Sequence, residues 1–236
     1  MEFKRIIVLA NSVKYSARCI AGIEVGNSRR LGTSSWVRPI SNLPKGELEM
    51  KHMRIEGGGT PAVLDDVVVP LTRHADDPIH PEDWLIEMSK KWTKVKTHVP
   101  QKLLELEEQP EHLWLESKQH TDRVSSAFLL KQPKLQSLYL IRPTEFHVEF
   151  SMRQMPGNPL PTFRRRAQFT YNGLRYDMSL TDPIFNEAYC GKLPEIDGAV
   201  KVVLPPYGDN CLLCLSVTPL YQNHHWKVVA TVLGLS

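Results

Sequence analysis

Long apolar runs are missing from this chain. None approaches the roughly 18–20 residues that span a bilayer as a helix, so no membrane-spanning helix is expected. The apolar run nearest the start, Ile6 to Ala10, is short and has no cleavage pattern after it, so it reads as a first strand rather than a signal peptide. Cysteine is scarce as well. Four residues (Cys19, Cys190, Cys211, Cys214) in a chain of 236 do not make a disulfide framework. A reducing, cytoplasmic setting is expected. Nucleophile motifs such as G-x-S-x-G are absent. Gly57-Gly58-Gly59-Thr60 lacks the lysine of a phosphate-binding P-loop and runs into a proline and a strand. These absences argue against an anchored protein, a disulfide-built module and the common hydrolase and nucleotidase classes. No enzyme is expected, and no cofactor.

A large excess of one charge is also missing: the net charge is +3. Its distribution says more. Residues 1–60 carry ten Lys/Arg against five Asp/Glu, residues 61–136 ten against thirteen, and residues 137–236 nine against eight. Between Phe150 and Tyr176 stand five arginines (Arg153, Arg164, Arg165, Arg166, Arg175) and no carboxylate. In the same stretch Asn172-Gly173 separates two alternating runs, a strong hairpin signal. A two-residue turn there sets the register. Tyr171 faces Leu174, Phe169 faces Tyr176 and Ala167 faces Met178 on an apolar side. Thr170 faces Arg175, Gln168 faces Asp177 and Arg166 faces Ser179 on a polar one. A basic β-surface edged with aromatics suits nucleic acid. It equally suits a half-buried hairpin with one solvated face.

The rest of the chain is mostly strand-like. Candidates are Lys4–Asn11, Arg18–Val25, Thr33–Ser41 and Leu64–Leu71 in the first part. Leu138–Phe150, Phe163–Tyr171, Leu174–Leu180, Val200–Leu204, Cys211–Leu220 and Trp226–Leu235 follow in the last, separated by Pro- or Gly-rich turns. The middle changes character. His80-Pro81-Glu82-Asp83 resembles a helix start, with Trp84, Leu85, Met88 and Trp92 at helical spacing behind it. Lys102–Glu108 is a second short helix candidate. Trp36-Val37-Arg38-Pro39 and Leu140-Ile141-Arg142-Pro143 form a faint repeat.

Several groupings look chemical and read better as structure. Cys211-Leu-Leu-Cys214 lies in a strand-like run, where residues three apart point to opposite faces, so a shared metal is not expected. His147-Val-Glu149 followed by that CxxC lacks the proline of a deaminase signature, since position 210 is asparagine. Asp65-Asp66, Asp76-Asp77 and Glu82-Asp83 read as caps and solvated acids rather than a nuclease metal site. Trp36 and Arg38 share a strand face, and serve either as a stacking and phosphate pair or as a structural cation–π contact.

The ordered set Leu9-Ala10-Asn11-Ser12-x-Lys14-x-x-x-Arg18-Cys19-x-Ala21-Gly22, then Trp36–Ser41, Leu64–Leu71 and His80–Ile86, resembles the dual OB-containing domain family. So does the C-terminal series Leu174-Arg175-Tyr176, Leu180–Pro183, Leu213–Val217 and Trp226–Ala230. The resemblance covers nearly the whole chain. Val13 departs from it, replacing an expected arginine, and Asp83 stands where an asparagine is expected. The resemblance implies two OB-type β-barrels joined through a helical segment. It further implies a nucleic-acid-sensing or nucleic-acid-binding part in prokaryotic defence systems, without catalytic residues.

The expected architecture is therefore mainly β: a first OB-like unit over 1–76, a helical connector over 77–136 and a second OB-like barrel over 137–236. The leading functional expectation is non-catalytic binding of single-stranded or structured DNA or RNA. Arg164, Arg165, Arg166 and Arg175 contact phosphate on the second unit, and Lys14, Arg18 and Arg38 on the first. Trp36 and Phe163 stack on bases. The competing readings are an adaptor docking on a nuclease or ATPase effector and a sensor of a nucleotide or other small molecule.

Overall fold

The continuous apolar run Ile6–Ala10 makes the N-terminal segment a strand that is buried on both sides. Ile6 and Val8 point to one face and Ile7 and Leu9 to the other, and all four are fully buried. The structure, a computed structural model, describes residues 1–14, 17–26, 35–153, 162–189 and 200–235. Its first sheet contains β1 (Glu2–Lys14), β2 (Ala17–Glu24), β3 (Trp36–Ile40), β4 (Asp65–His74), β5 (Asp83–Ile86) and β6 (Thr93–Thr97). The first half of β1 pairs with β4 and its second half with β2, after a register shift between Val8 and Ala10. Strand β3 runs parallel to β5, which pairs with β4. The circuit β1-β2-β3-β5-β4-β1 closes into the five-stranded barrel expected of an OB fold. Gly22 permits the tight β1–β2 crossing, since a Cβ there would sit 2.3 Å from the Ile7 carbonyl oxygen.

The second sheet repeats the order with one strand broken. It contains β7 (Arg123–Val124), β8 (Leu138–Ile141), β9 (Thr144–Arg153), β10 (Thr162–Tyr171), β11 (Leu174–Leu180), β12 (Val200–Val203), β13 (Cys211–Val217) and β14 (His225–Gly234). Two short helices, α1 (Ser126–Leu129) and α2 (Pro183–Tyr189), lie between them. Strand β8 pairs with β13, β9 pairs with β10, and β11 runs parallel to β14. Together β8 and β9 do what β1 does alone. Pro143 breaks the ladder between them, and Asp209 accepts the freed Glu145 and Phe146 amides at 2.9 and 2.7 Å.

Two expectations change here. The segment expected as a helix from His80 forms β5 and leads to β6, because Ile86 and Trp92 are drawn into the first barrel's core. The spacing of Trp84, Leu85, Met88 and Trp92 is helical, yet burial and ladder pairing decide the conformation. Among the described residues the chain between β6 and β8 holds, besides the two-residue strand β7, a 3-10 turn, Pro100–Leu106, and the single turn of α1. The Arg-Pro repeat is not a duplication either. Arg38-Pro39 lies in the third strand of the first barrel, whereas Arg142-Pro143 follows the first strand of the second.

Between the barrels lies a third apolar layer. Ile7, Leu9, Ala21, Ile23 and Trp36 on the outside of the first meet Leu140, Leu212, Cys214, Ala230 and Leu233 on the outside of the second. A buried polar seam runs beside it. Arg38 Nε donates to Asp83 Oδ1 at 2.5 Å, with both side chains almost out of water. The neighbouring Glu82 accepts from the Ser137 amide at 2.6 Å and from its hydroxyl at 2.8 Å, just before β8. Glu108 accepts from Trp36 Nε1 at 3.0 Å and from the Leu140 amide at 2.8 Å. Burial pushes the Glu82 and Glu108 carboxyls above their ordinary range, although these hydrogen bonds oppose it. Burial would lower the pKa of Arg38, but the surrounding groups, Asp83 foremost, more than offset that and raise it.

Removing one member of a buried pair leaves the other uncompensated. Arg38→Met is expected to cost about 3–5 kcal/mol in urea unfolding. Arg38→Met with Asp83→Leu should recover most of that loss. A second check uses Lys227, fully buried in the second barrel with Nζ 3.4 Å from the Leu113 and Trp114 carbonyl oxygens. Burial lowers its pKa to about 8. Above that value the folded state binds fewer protons than the unfolded chain, so Lys227 adds stability as pH rises from about 8 toward about 10.4. Cys211, whose thiol burial pushes up to about 12, pulls the other way over part of this range. The stability of the wild type relative to Lys227→Met should therefore rise between pH 8 and 10, by an amount on the order of 3 kcal/mol.

Candidate nucleic-acid interface

An OB barrel takes ligands on the face of its second and third strands and on the loops beside them. In the first barrel that face is β2–β3, and the second barrel covers much of it. Ala21, Ile23 and Trp36 are in the inter-barrel layer, and Arg38 is held by Asp83. Trp36 and Arg38, expected to stack and to hold phosphate, are 4% exposed each and serve the seam instead. Arg18 stays half-buried on β2, its backbone bridging to Leu48. The Lys14 side chain falls outside the described residues, as does that of Arg153.

In the second barrel the same face is β10–β11, and it is open. The hairpin register agrees with the sequence pair for pair, from Tyr171 opposite Leu174 to Arg166 opposite Ser179. Asn172 and Gly173 take φ of 47° and 73°, as a type I′ turn demands. Ala167, Phe169, Tyr171, Tyr176 and Met178 fill the core.

Strand alternation then divides the arginine run. Arg164 and Arg166 share the outer face with Gln168, Thr170 and Arg175. Phe163 and Arg165 point to the other side, Phe163 exposed at the barrel rim and Arg165 opposite buried Phe150. Arg165 Nε is buried without a hydrogen-bond partner. It therefore does not join Arg164 and Arg166 in one patch. Arg166 is committed to the fold. Its Nε donates to Asp177 Oδ1 at 2.6 Å, its Nη1 to Ser179 Oγ at 3.1 Å and its Nη2 to Asp122 Oδ2 at 3.0 Å. Glu149 on β9 lies opposite Arg166, so folding brings acids to a segment whose own sequence has none. That leaves Arg164 and Arg175, both exposed and, among the described residues, outside any ion pair.

The outer face does not end at the hairpin. Ser179 pairs with Val228 on β14, so Arg166, Ser179 and Val228 form one row across three strands. Continuing that register by two residues puts Arg164 in the row of Thr181 and Ala230. There the face meets the first barrel, and a cavity of about 300 Å³ opens between them. The second barrel contributes Thr181, Ser216, Thr218, Tyr221, Trp226, Val228 and Ala230 to its lining, and the first contributes Ser12, Cys19, Ala21 and Arg38. Thr218 and Tyr221 belong to the loop between β13 and β14, the loop that borders ligands in this fold. The sequence reading passed over these residues. An isolated tryptophan directly after a polar loop, Gln222 to His225, is the signal that was available.

The remaining groupings are structural. Cys211 and Cys214 are buried on opposite faces of β13, one in the second barrel's core and one between the barrels. Asp65 bonds Lys94 and Thr97, and Asp66 bonds Arg5 and His98. Asp77, His80 and Asp83 bring ligand atoms within 4.8 Å of one another. Internal partners satisfy them: His80 Nε2 meets the Val217 carbonyl oxygen at 3.2 Å, Asp77 accepts from the Ile79 amide at 2.8 Å, and Asp83 holds Arg38. His147 is on the outer face of β9, a strand that does not pair with β13, whereas Cys211 lies in the core and Cys214 between the barrels. Among the described residues, no helix is long and apolar enough to cross a membrane.

Arg166→Ala should therefore cost about 1.5–3 kcal/mol in thermal or urea unfolding, the worth of hydrogen bonds to charged groups. Arg164→Ala should change stability by less than about 0.5 kcal/mol. Equal losses in both would contradict the division of roles.

The model of the dual OB-containing domain family matches residues 4–232. The chain belongs to that family, and its fold is one that hosts oligonucleotide and oligosaccharide ligands in general. No curated protein and no solved structure matches it.

Proposed function

With the chain a dual OB protein, we propose that it is a non-catalytic nucleic-acid-binding component of a cytoplasmic defence system, and that one barrel carries the binding face. The observation that supports this reading most is the inequality of the barrels. The first has its β2–β3 face packed against its neighbour, while the second keeps β10–β11 open with two uncommitted arginines. Arg164 and Arg175 stand near opposite ends of the outer face, so a bound strand crosses the hairpin obliquely and meets a cation at each end. Phe163 at the rim is a further stacking position. Gln168 and Thr170 between them offer neutral hydrogen bonds. The face carries Glu145, Glu149 and Asp177 as well, which favours a modest, salt-sensitive affinity. An acidic protein partner fits two arginines less well, because nothing apolar on the outer face of β10–β11 would anchor it.

Binding of labelled single-stranded DNA and RNA, followed by anisotropy across a salt series, tests the reading. Arg164→Ala with Arg175→Ala should weaken binding about tenfold or more. It should also flatten the slope of log affinity against log salt by about 1.4, the share of two phosphates on a single strand. Absence of binding at low salt would overturn the proposal. An unchanged slope in the double variant would move the site away from this face.

A further inference from the structure

The junction cavity has no role in the proposal so far, and its chemistry is specific. Its lining combines three features. Val228, Ala230, Ala21 and Leu138 give apolar walls, Trp226 and Tyr221 give aromatic ones, and the hydroxyls of Ser12, Thr181, Ser216 and Thr218 stand among them. Arg38 is the one guanidinium in the lining among the described residues, and Asp83 neutralises it. Such a site disfavours a charged group and suits a flat, uncharged ring with hydrogen-bonding edges. About 300 Å³ is at the small end of ligand sites, the size of a nucleobase or nucleoside rather than an extended chain. The position matters as much. Thr181 and Ala230 line the cavity in the row that Arg164 continues, one and two strands or about 5 and 10 Å away. The open face and the cavity therefore share one row of residues.

We propose that this cavity is a base pocket, which takes one unstacked nucleobase from a strand whose phosphates lie along the open face. This inference rests on the nucleic-acid reading. Phosphates stay outside with Arg164 and Arg175, and the base enters between the barrels, flanked by Trp226 and the loop Thr218–Tyr221. The first barrel's covered face thereby still takes part in binding, as one wall of the pocket.

Cys19 supplies the test, because it lines the cavity and is partly exposed, whereas Cys211 and Cys214 are fully buried. Cys190 lies outside the described residues and is removed as Cys190→Ser. In that chain, the alkylation rate of Cys19 by N-ethylmaleimide is measured with and without oligothymidylate, and with an abasic strand of equal length. Affinity is measured again after Cys19 carries a bulky bimane group, with the melting temperature as a check on the fold. Oligothymidylate should slow alkylation, the abasic strand should not, and the bimane group should lower affinity about tenfold, within the range for one stacked base. Tight binding with unchanged alkylation and no effect of the plug would overturn the pocket and leave the open face standing. Equal protection by the abasic strand would also overturn it, since no base would be needed. Failure of the unmodified chain to bind at low salt would overturn the pocket together with the reading beneath it.

Discussion

The buried pair of Arg38 and Asp83 fixes how everything else is arranged. It stands where β3 and β5 run parallel, so it closes the first barrel. The residue before Asp83 is Glu82, whose carboxylate caps the start of the second barrel at Ser137. Glu108 closes the seam by joining Trp36 of one barrel to Leu140 of the other. Buried charges of this kind add little net stability, because desolvation offsets most of their attraction. What they add is a defined geometry. An apolar layer alone tolerates sliding, whereas a carboxylate buried against one amide and one hydroxyl does not.

That geometry makes two barrels of the same strand order unequal. The second docks its β8–β13–β14 outer surface onto the β2–β3 face of the first, which buries the surface an isolated barrel would offer to a ligand. The second barrel's own β10–β11 face is left outside, continuous with β14. The cavity lies where the covered and the open parts of one sheet meet. Docking two barrels of the same strand order thus yields one extended face and one pocket, rather than two separate sites.

Much of this was legible in the sequence. Asn172-Gly173 fixed a register that holds at every pair, because a two-residue I′ turn leaves no freedom. The strand-like runs around Val67, Phe169 and Leu213 became strands as expected. Four things were not legible. The helical spacing of Trp84, Leu85, Met88 and Trp92 is a local signal, and the barrel's need for a fifth strand outweighed it. Trp36 and Arg38 have the composition of a binding pair. Only the partners that folding brings, Glu108 and Asp83, which are 72 and 45 positions away, show them to be internal. The arginine run looked uniform because a sequence has no faces. Alternation and Asp122 divide it into a free residue, a structural one and one turned away. The pocket residues are scattered from Ala10 to Ala230, and no local pattern could collect them.

Hydrogen–deuterium exchange on the full chain, with and without a single-stranded oligonucleotide, tests the central claim that one barrel's face is covered and the other's is open. The account predicts that the free protein exchanges slowly across β2 and β3. It predicts added protection on binding in β10, β11 and the loop from Thr218 to Trp226, with little change along β4 and β6. Fast exchange across β2–β3 in the free protein, with ligand-induced protection confined to that region, would contradict it, because the first barrel would then be the open one.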